Sequence, residues 1–322
     1  MPLATLRSSF DPLVRLLLVA TALATVAPVR GEAQVIAQHV SNAAIFVLFL
    51  LNGLRLPRAE VLRSVGHWRL LTPLALWTFG AMTLAGLGLW KLTDGWLPPS
   101  VALGFLFLGV LPSTVQSATA YSSVAGGNVA ISVVAAAILN ILGVFITAPL
   151  FALVAGGESA SLGYDGLIKI GTILLLPFFL GQLLQNRLSH VMRDHRTLAS
   201  WMDRISIAIA VYVAFSGAVD NGLWTLVGPS DWLGLVVAIV AFLIFGFGGA
   251  WLLARMLRLN RPDAIAMLFA GGQKSITMGA PLAAILFPPA QAGLVLLPAF
   301  LYHLLQLVLS APVANRLANP PQ

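Results

Sequence analysis

Apolar residues occur along this chain in long runs separated by short polar stretches, and the pattern predicts a helical membrane protein. A helix that crosses the hydrocarbon core of a bilayer needs about 20 apolar residues. Ten runs approach that length, at approximately 12–28, 36–54, 69–90, 98–123, 128–154, 166–186, 203–221, 231–256, 262–287 and 290–315. We therefore predict an all-α fold of ten transmembrane helices, with residues 1–322 forming a single transmembrane unit.

The fourth and ninth runs contain helix breakers followed by small polar residues. Pro112 interrupts the fourth run, and Gly271-Gly272 interrupts the ninth. Lipid cannot hydrogen-bond to free backbone groups, so a break at membrane depth survives only when it is buried in protein or lines a wet cavity. Breaks at corresponding places in the two halves of a chain are typical of a transporter's binding site.

The order of the runs predicts an internal repeat. Five runs follow five, and an odd repeat unit inserts with opposite topology, so the halves should be inverted repeats. Ser41–Gly53 has weak similarity to Ile205–Gly217, and the broken runs occupy matching places in their halves. We expect the discontinuous fourth and ninth helices to cross near the middle of the membrane.

Composition supports this interpretation and excludes several classes of function. Hydrophobic residues make up 59% of the chain and charged residues 9%, whereas a soluble domain carries roughly 25% charged residues. The absence of cysteine excludes disulfides, thiolate metal sites and thiol catalysis. The net charge of +7 does not indicate nucleic acid as a partner, because the arginines fall between apolar runs.

The basic residues predict the orientation, because cytoplasmic loops of membrane proteins are enriched in Lys and Arg. With both termini inside, fourteen arginines fall on the cytoplasmic side, and only Arg30, Lys91 and Lys169 fall opposite. We predict a multi-pass protein of the plasma (inner) membrane with both termini in the cytoplasm. Arg7, the apolar run after it and the small residues near Gly31 leave a cleaved signal peptide as the alternative at the N-terminus.

The first break carries a cluster of candidate binding residues. Ser113 and Gln116 have the spacing of a capping box, which predicts a second half-helix that starts near Thr114 and ends at Gly126-Gly127. The N-terminus of such a half-helix carries partial positive charge and suits an anion. The candidates for binding substrate or ion are Ser113, Thr114, Gln116, Ser117, Thr119, Asn128 and Ser132. The simpler alternative is that these side chains only satisfy broken backbone or pack helices together.

The second break adds Gln273, Lys274, Ser275 and Thr277 as candidates. A lysine at this depth costs about 2.5–3.5 kcal/mol even on a lenient insertion scale, so a functional role is the default interpretation. Lys274 could be the counter-charge to an anionic substrate, facing a cavity between two domains. It could instead be a tethered cation that points at the carbonyl ends of both half-helices, or a residue that snorkels to the interface.

Two side chains of the tenth run are weaker candidates, and carboxylates are missing from the middle of the membrane. His303 and Gln306 lie one turn apart, and a lone histidine among leucines is as readily a packing residue. All eleven acidic residues are predicted at loops or helix ends. We expect no cofactor and no metal centre, and a Na⁺ site would have to use carbonyl, hydroxyl and amide oxygens.

The two breaks resemble the core motifs of the bile acid:sodium symporter family. The matching strings are TVQS at 114–117, GGNVAIS at 126–132 and FAGGQKSITMGAP at 269–281, with Tyr302-His303. They are most similar to the branch of the seventh vertebrate bile-acid-carrier homologue and its bacterial relatives. The resemblance implies a panel domain, approximately 12–54 and 166–221, and a core domain, approximately 69–154 and 231–315.

The resemblance also implies roles for single residues. Gln273 matches a Gln, and Ser132 a hydroxyl, that the family places beside Na⁺, while Thr119 lies near an Asn of that site. Lys274 takes the place of an Asn that approaches substrate, and Phe269 stands where a sodium-binding Glu is expected. Because the Glu is replaced and a cation is gained nearby, we expect weak or absent dependence on Na⁺.

Taken with the breaks, the resemblance predicts a secondary transporter that moves a small or amphipathic organic anion by alternating access, with Na⁺ or H⁺ as candidate coupling ions. The other partner is the lipid bilayer, and the sequence gives no oligomeric state. The alternative is a non-transporting membrane regulator on the same scaffold. An enzyme is not expected, because the predicted spans offer only isolated histidines in place of acids, thiols or metal ligands.

Overall fold

The computed structural model describes residues 11–55, 68–156 and 168–319, and their regular structure is helical. We number the helices α1 to α13. They are α1 Pro12–Val26, α2 Glu32–Arg55, α3 Trp68–Thr93, α4 Pro99–Val110, α5 Gln116–Val124, α6 Val129–Ala155, α7 Leu176–Asp194, α8 Arg196–Asp220, α9 Leu223–Leu226, α10 Pro229–Met256, α11 Arg261–Gly272, α12 Ile276–Leu286 and α13 Pro289–Ala318. Two stretches are π-helical: Trp77–Ala81 within α3, and Ile170–Leu175 just before α7.

The helices are those of an all-α membrane protein, as the sequence predicted. Six of them (α2, α3, α6, α8, α10 and α13) are long and apolar enough to cross a bilayer, and α1 and α4 are shorter apolar helices. Three arginines of the orientation count and three acidic residues lie outside the described residues: Arg7, Arg58, Arg63, Glu60, Glu158 and Asp165.

The polar stretch between the sixth and seventh runs is helical over almost its whole length. In the structure α7 continues to Asp194 and α8 begins at Arg196, so only His195 separates the two helices. Residues 187–204 contain neither Gly nor Pro, and Arg, Leu and Met are good helix formers. Hydropathy detects only the apolar part of a helix, and these two continue as polar helix beyond it.

The described residues fall into two units, and the first contains 11–55, 168–225 and 280–294. Within it, α2 packs closely on α7, because a Cβ at Gly53 would lie 2.2 Å from the carbonyl oxygen of Phe178. Arg55 forms an ion pair with Asp203, the eighth residue of α8. The prediction that every acid lies at a loop or helix end is therefore wrong for Asp203.

The second unit contains 68–156, 226–279 and 295–319, and both helix breaks lie in it. Here α3 and α4 approach each other at glycines: a Cβ at Gly86 would lie 2.5 Å from the Phe105 carbonyl oxygen, and one at Gly109 would lie 2.8 Å from that of Met82. Small residues at such contacts are typical of helices that pack inside membranes. This contact fixes the position of the C-terminal end of α4.

Both predicted breaks are present, but the second begins directly after Gly271-Gly272 and not at them. Gly271 and Gly272 are the last two residues of α11, and the break is Gln273–Ser275. Neither glycine has a positive φ. Close packing leaves no room for a side chain here, since a Cβ at Gly272 would lie 2.7 Å from the ring of Phe247.

Candidate functional site

The two breaks are in direct contact. The N–H group of Ser275 donates to the carbonyl oxygen of Pro112 at 2.8 Å. Pro112 also packs closely against α6, where a Cβ at Gly143 would lie 2.6 Å from the proline ring. The non-helical backbone of α4–α5 therefore pairs with that of α11–α12 and is buried within one unit, as the absence of water in a bilayer requires.

The carbonyl groups at the first break have partners within the protein. The Pro112 oxygen is bound by Ser275, and the Ser113 oxygen accepts from the Asn140 amide at 2.8 Å. Thr147 donates its hydroxyl to the Val110 oxygen at 3.2 Å. Unpaired backbone groups are costly when buried, so these side chains of α6 stabilise the open end of α4.

The carbonyl groups at the second break are bound by a different set of donors. The Trp77 indole N–H donates to Gly271 O at 3.2 Å, and the Tyr302 hydroxyl donates to Gly272 O at 2.5 Å. Two neutral aromatic donors therefore cap the end of α11.

Lys274 is the middle residue of the second break, and its side chain is 1% exposed. Its Nζ donates to the carbonyl oxygens of Gly109 and Leu111, both at 2.8 Å, and of Thr78 at 3.1 Å. The ammonium therefore points at the end of α4 and at the π-helical part of α3. As a tethered cation, Lys274 was expected to point at the carbonyl ends of both half-helices. That prediction is wrong for α11, whose terminal carbonyl groups are bound by Trp77 and Tyr302.

Gln273 joins hydroxyls from both sides of the paired breaks. Its Oε1 accepts from Thr114 at 2.5 Å and from Ser117 at 2.6 Å, and its Nε2 donates to Ser310 at 3.2 Å. The Thr114 and Ser117 hydroxyls are 2.7 Å apart. We call Thr114, Ser117, Gln273 and Ser310 the Gln273 cluster. It is uncharged, and its hydroxyl and amide groups can both donate and accept hydrogen bonds.

His303 and Gln306 belong to a polar stripe on α13. The Gln306 amide binds the backbone of Lys274, and it lies 2.9 Å from Nδ1 of His303. Tyr302, Gln306 and Ser310 recur every fourth residue, so they face the second break from one side of the helix. Tyr302 and Ser310 were not among the predicted site residues, although this spacing signals a shared face.

The capping box predicted at Ser113 and Gln116 is wrong. Helix α5 begins at Gln116 and has no side-chain cap. The Ser113 hydroxyl is buried and has no hydrogen-bond partner among the described residues, whereas Gln116 is exposed. The half-helix also ends at Val124, before the predicted Gly126-Gly127. Pro112 and its contacts fix the chain here, and α5 starts only where the backbone turns away from them.

At the other break Ser275 caps the second half-helix. Its hydroxyl accepts from the N–H group of Met278 at 3.3 Å and lies 2.6 Å from the hydroxyl of Thr277. Ser is a favoured N-cap residue, and one such bond satisfies an otherwise free N–H group. Ser275 therefore has a structural role that the sequence alone could not separate from binding.

Asn128 lies away from the Gln273 cluster. It caps α6 through the N–H group of Ile131 at 3.2 Å, and its amide donates to Asp263 at 2.8 Å. Asp263 is in the first turn of α11, and Gln273 follows ten residues later, which corresponds to roughly 15 Å of helix. The structure therefore places Asn128 at the opposite end of α11 from the break.

Buried hydroxyls of α5 and α6 have spare hydrogen-bonding capacity. Thr119 and Ser132, both predicted site residues, have buried hydroxyl oxygens without a hydrogen-bond partner in the described part of the chain, as does Ser122. Such groups are uncommon in native structures and mark places where water or a ligand group could bind.

Phe269 occupies the position at which the family resemblance places a carboxylate. It is fully buried, stacks on Tyr121 with ring centroids 5.9 Å apart, and meets the edge of Phe247 at 6.2 Å. Within the described ranges no group of three or more His, Asp or Glu residues could hold a metal ion.

Comparison with known proteins shows similarity over nearly the whole chain. The sequence profile of the SBF-like CPA transporter family matches residues 11–319. An uncharacterized protein from Pseudomonas aeruginosa is 37% identical over 306 residues, 94% of this chain and 92% of that protein. The putative symporter YfeH from Escherichia coli is 36% identical over 308 residues, 95% and 92% of the two chains. Sodium/bile acid cotransporter 7 from Danio rerio is 23% identical over 292 residues, 84% and 82% of the two chains.

Proposed function

The chain belongs to the SBF-like CPA transporter family, and from that premise we propose that it moves a small or amphipathic organic anion by alternating access. The observation that carries the proposal is the pairing of two broken helices through Ser275 and Pro112. Irregular backbone is tolerated at membrane depth where it is buried or lines a cavity, and discontinuous helices of this kind bind substrate in secondary transporters.

The proposal includes a five-plus-five inverted repeat. Its support is the matched construction of the two broken segments: α4 and α11 each have 12 residues, and the half-helices that follow, α5 and α12, have 9 and 11. In each segment the first half-helix contributes carbonyl oxygens to the break, and the second contributes the N–H groups of its first turn.

The start of α5 is the best-supported position for an anion. It has no side-chain cap, and Val115 and Gln116 beside it are exposed. Free N–H groups and the helix dipole favour negative charge there. The start of α12, by contrast, is capped by Ser275. We therefore assign the anionic group of the substrate to the N-terminus of α5, beside the Gln273 cluster.

For ion coupling we propose weak or absent dependence on Na⁺. Two relatives are named as a putative symporter and as a sodium/bile acid cotransporter. In this chain the Gln273 cluster contains no carboxylate, and the aromatic ring of Phe269 fills the adjoining position that a Glu would occupy. Hydroxyl and amide oxygens alone hold Na⁺ weakly, because they carry no net charge.

The experiment that tests this function is a thermal-shift screen of the purified full-length protein. Taurocholate, benzoate and succinate serve as organic anions and benzyl alcohol as a neutral control, each in NaCl and in choline chloride. A ligand that binds the folded state raises Tm in a saturable way. We expect at least one anion to do so, and expect Gln273→Leu to lose the shift while Gln291→Leu, at an exposed position of α13, keeps it.

Transport itself is measured in proteoliposomes. Vesicles preloaded with the unlabelled anion should take up the labelled anion by exchange. If no anion of the screen shifts Tm and none is exchanged, the proposed substrate class is wrong.

A further inference from the structure

The Lys274 ammonium is fully satisfied by backbone oxygen atoms. An ammonium group has three N–H donors, and the three oxygen atoms of Thr78, Gly109 and Leu111 accept them at 2.8–3.1 Å. Neither of the two ion pairs found among the described residues involves Lys274. Its charge is therefore balanced by carbonyl dipoles and not by a carboxylate.

Helix geometry explains why the oxygen atoms converge at this point. Gly109 and Leu111 lie at the C-terminal end of α4, where carbonyl groups lack partners within the helix and carry partial negative charge. Thr78 lies in the π-helical segment Trp77–Ala81 of α3. The close contact of α3 and α4 at Gly86 and Gly109 brings the two sets together.

Converging backbone carbonyls are also how proteins bind dehydrated monovalent cations. The three oxygen atoms form such a site, and the ammonium occupies the place of the ion. We propose that Thr78, Gly109 and Leu111 line a monovalent-cation site that Lys274 fills permanently as a tethered cation.

The observed contacts argue against the other two roles considered for this residue. A snorkelling lysine would place its ammonium at the interface, whereas this one is 1% exposed and bound on all three N–H groups. A counter-charge to substrate would need at least one free donor.

The test removes the tethered cation and supplies a dissolved one. Full-length Lys274→Ala is unfolded thermally in choline, sodium, potassium, ammonium and methylammonium chloride at equal ionic strength. We expect Tm of Lys274→Ala to fall in choline and to rise again, in a saturable way, with ammonium or potassium. Native protein should show no such cation dependence. The readout is stability and needs no substrate, so its failure is separate from failure of the proposed function.

Two further variants make the result specific. Lys274→Met keeps an unbranched side chain that is one atom shorter and uncharged, and we expect it to be destabilised and not rescued, because the thioether chain fills most of the space that a dissolved cation would need. Lys91→Ala removes an exposed lysine that lies over the Trp90 ring and should be indifferent to the cation.

Several results would overturn the proposal. They are a Lys274→Ala protein as stable as the native one in choline, a destabilised one that no cation restores, or a Lys274→Met protein with native Tm. If Lys274→Ala cannot be purified in choline, it is expressed and purified in ammonium chloride throughout. Recovery only with the cation supports the proposal, and no recovery with any cation refutes it.

Discussion

Gln306 hydrogen-bonds to both backbone groups of Lys274. Its Oε1 accepts from the Lys274 N–H group at 2.8 Å, and its Nε2 donates to the Lys274 carbonyl oxygen at 3.0 Å. A side-chain amide thus replaces the helical partners that the break removes. Gln306, which sequence patterns suggested as a binding residue, therefore has a clear structural role.

The first prediction concerns this pairing. Gln306→Leu leaves the N–H and C=O groups of Lys274 buried and unpaired, and each unpaired group costs about 1–3 kcal/mol. We expect a lower free energy of unfolding, measured by thermal or chemical denaturation in detergent. Gln306→Glu, as the protonated acid, keeps both an acceptor for the N–H group and a donor for the C=O group, and it should be affected less. Gln291→Leu, on the exposed face of the same helix, is the control, and equal stability of the two Leu variants would contradict the prediction.

The sequence predicted both breaks, the second just before its actual place, because Pro112 and Gly271-Gly272 are local signals, readable without a fold. It could not predict which atoms satisfy the broken backbone. Asn140, Thr147 and Trp77 reach the breaks from helices far away in the chain. For Asn140 the available signal was that it is the one amide side chain within the apolar helix α6.

The assignment of polar residues was limited for a related reason. Ser275, Gln273 and Asn128 all carry groups that can bind a ligand or cap a helix, and composition does not distinguish the two uses. The structure assigns Ser275 and Asn128 to helix caps and brings Gln273 to Thr114 and Ser117. The two caps are local contacts, and only the contacts of Gln273 join segments that are distant in the chain.

The second prediction concerns Na⁺. Because Phe269 is packed between Tyr121 and Phe247, no carboxylate is available at its position to hold the ion. The affinity for the anion found in the screen should change by less than about twofold between NaCl and choline chloride, since tenfold corresponds to about 1.4 kcal/mol of coupling. Isothermal titration measures it, with KCl as the control for ionic strength. Tightening by tenfold in Na⁺ alone would show that the carboxylate is not needed.

The third prediction concerns the Gln273 cluster. Thr114→Val removes a hydroxyl that donates to Gln273, and the loss of a buried partner costs about 1–3 kcal/mol. We expect lower Tm and weaker anion binding, and expect Thr114→Ser, which keeps the hydroxyl, to retain both. Thr172→Val, at an exposed threonine, is the matched control. If Thr114→Val binds the anion as tightly as the native protein does, the Gln273 cluster is not part of the binding site.

The fourth prediction concerns orientation. The chain has no cysteine, so single cysteines can be introduced without a background. Arg193→Cys and Asp94→Cys are both at exposed positions, and the arginine distribution places them on opposite sides. A membrane-impermeant maleimide applied to spheroplasts, whose inner membrane is exposed to the reagent, should label Asp94→Cys and not Arg193→Cys. The reverse pattern would invert the topology.

The last prediction concerns the ion pair of Arg55 with Asp203. The two side chains are 33% and 18% exposed, and Arg55 Nη2 and Asp203 Oδ1 are buried without a hydrogen-bond partner among the described residues. Removing one partner of a buried pair leaves an uncompensated charge, which costs about 3–5 kcal/mol when burial is complete, whereas replacing both partners by apolar residues is often neutral. Partial exposure reduces these values. We therefore expect Arg55→Met and Asp203→Leu each to lower the free energy of unfolding and the double variant to be more stable than either.

The control is the same double-mutant cycle at the ion pair of Arg30 with Asp220, whose side chains are 66% and 32% exposed. It should give a coupling free energy of about 0–1 kcal/mol. Additive effects at Arg55 and Asp203 would show that their pairing contributes nothing to stability.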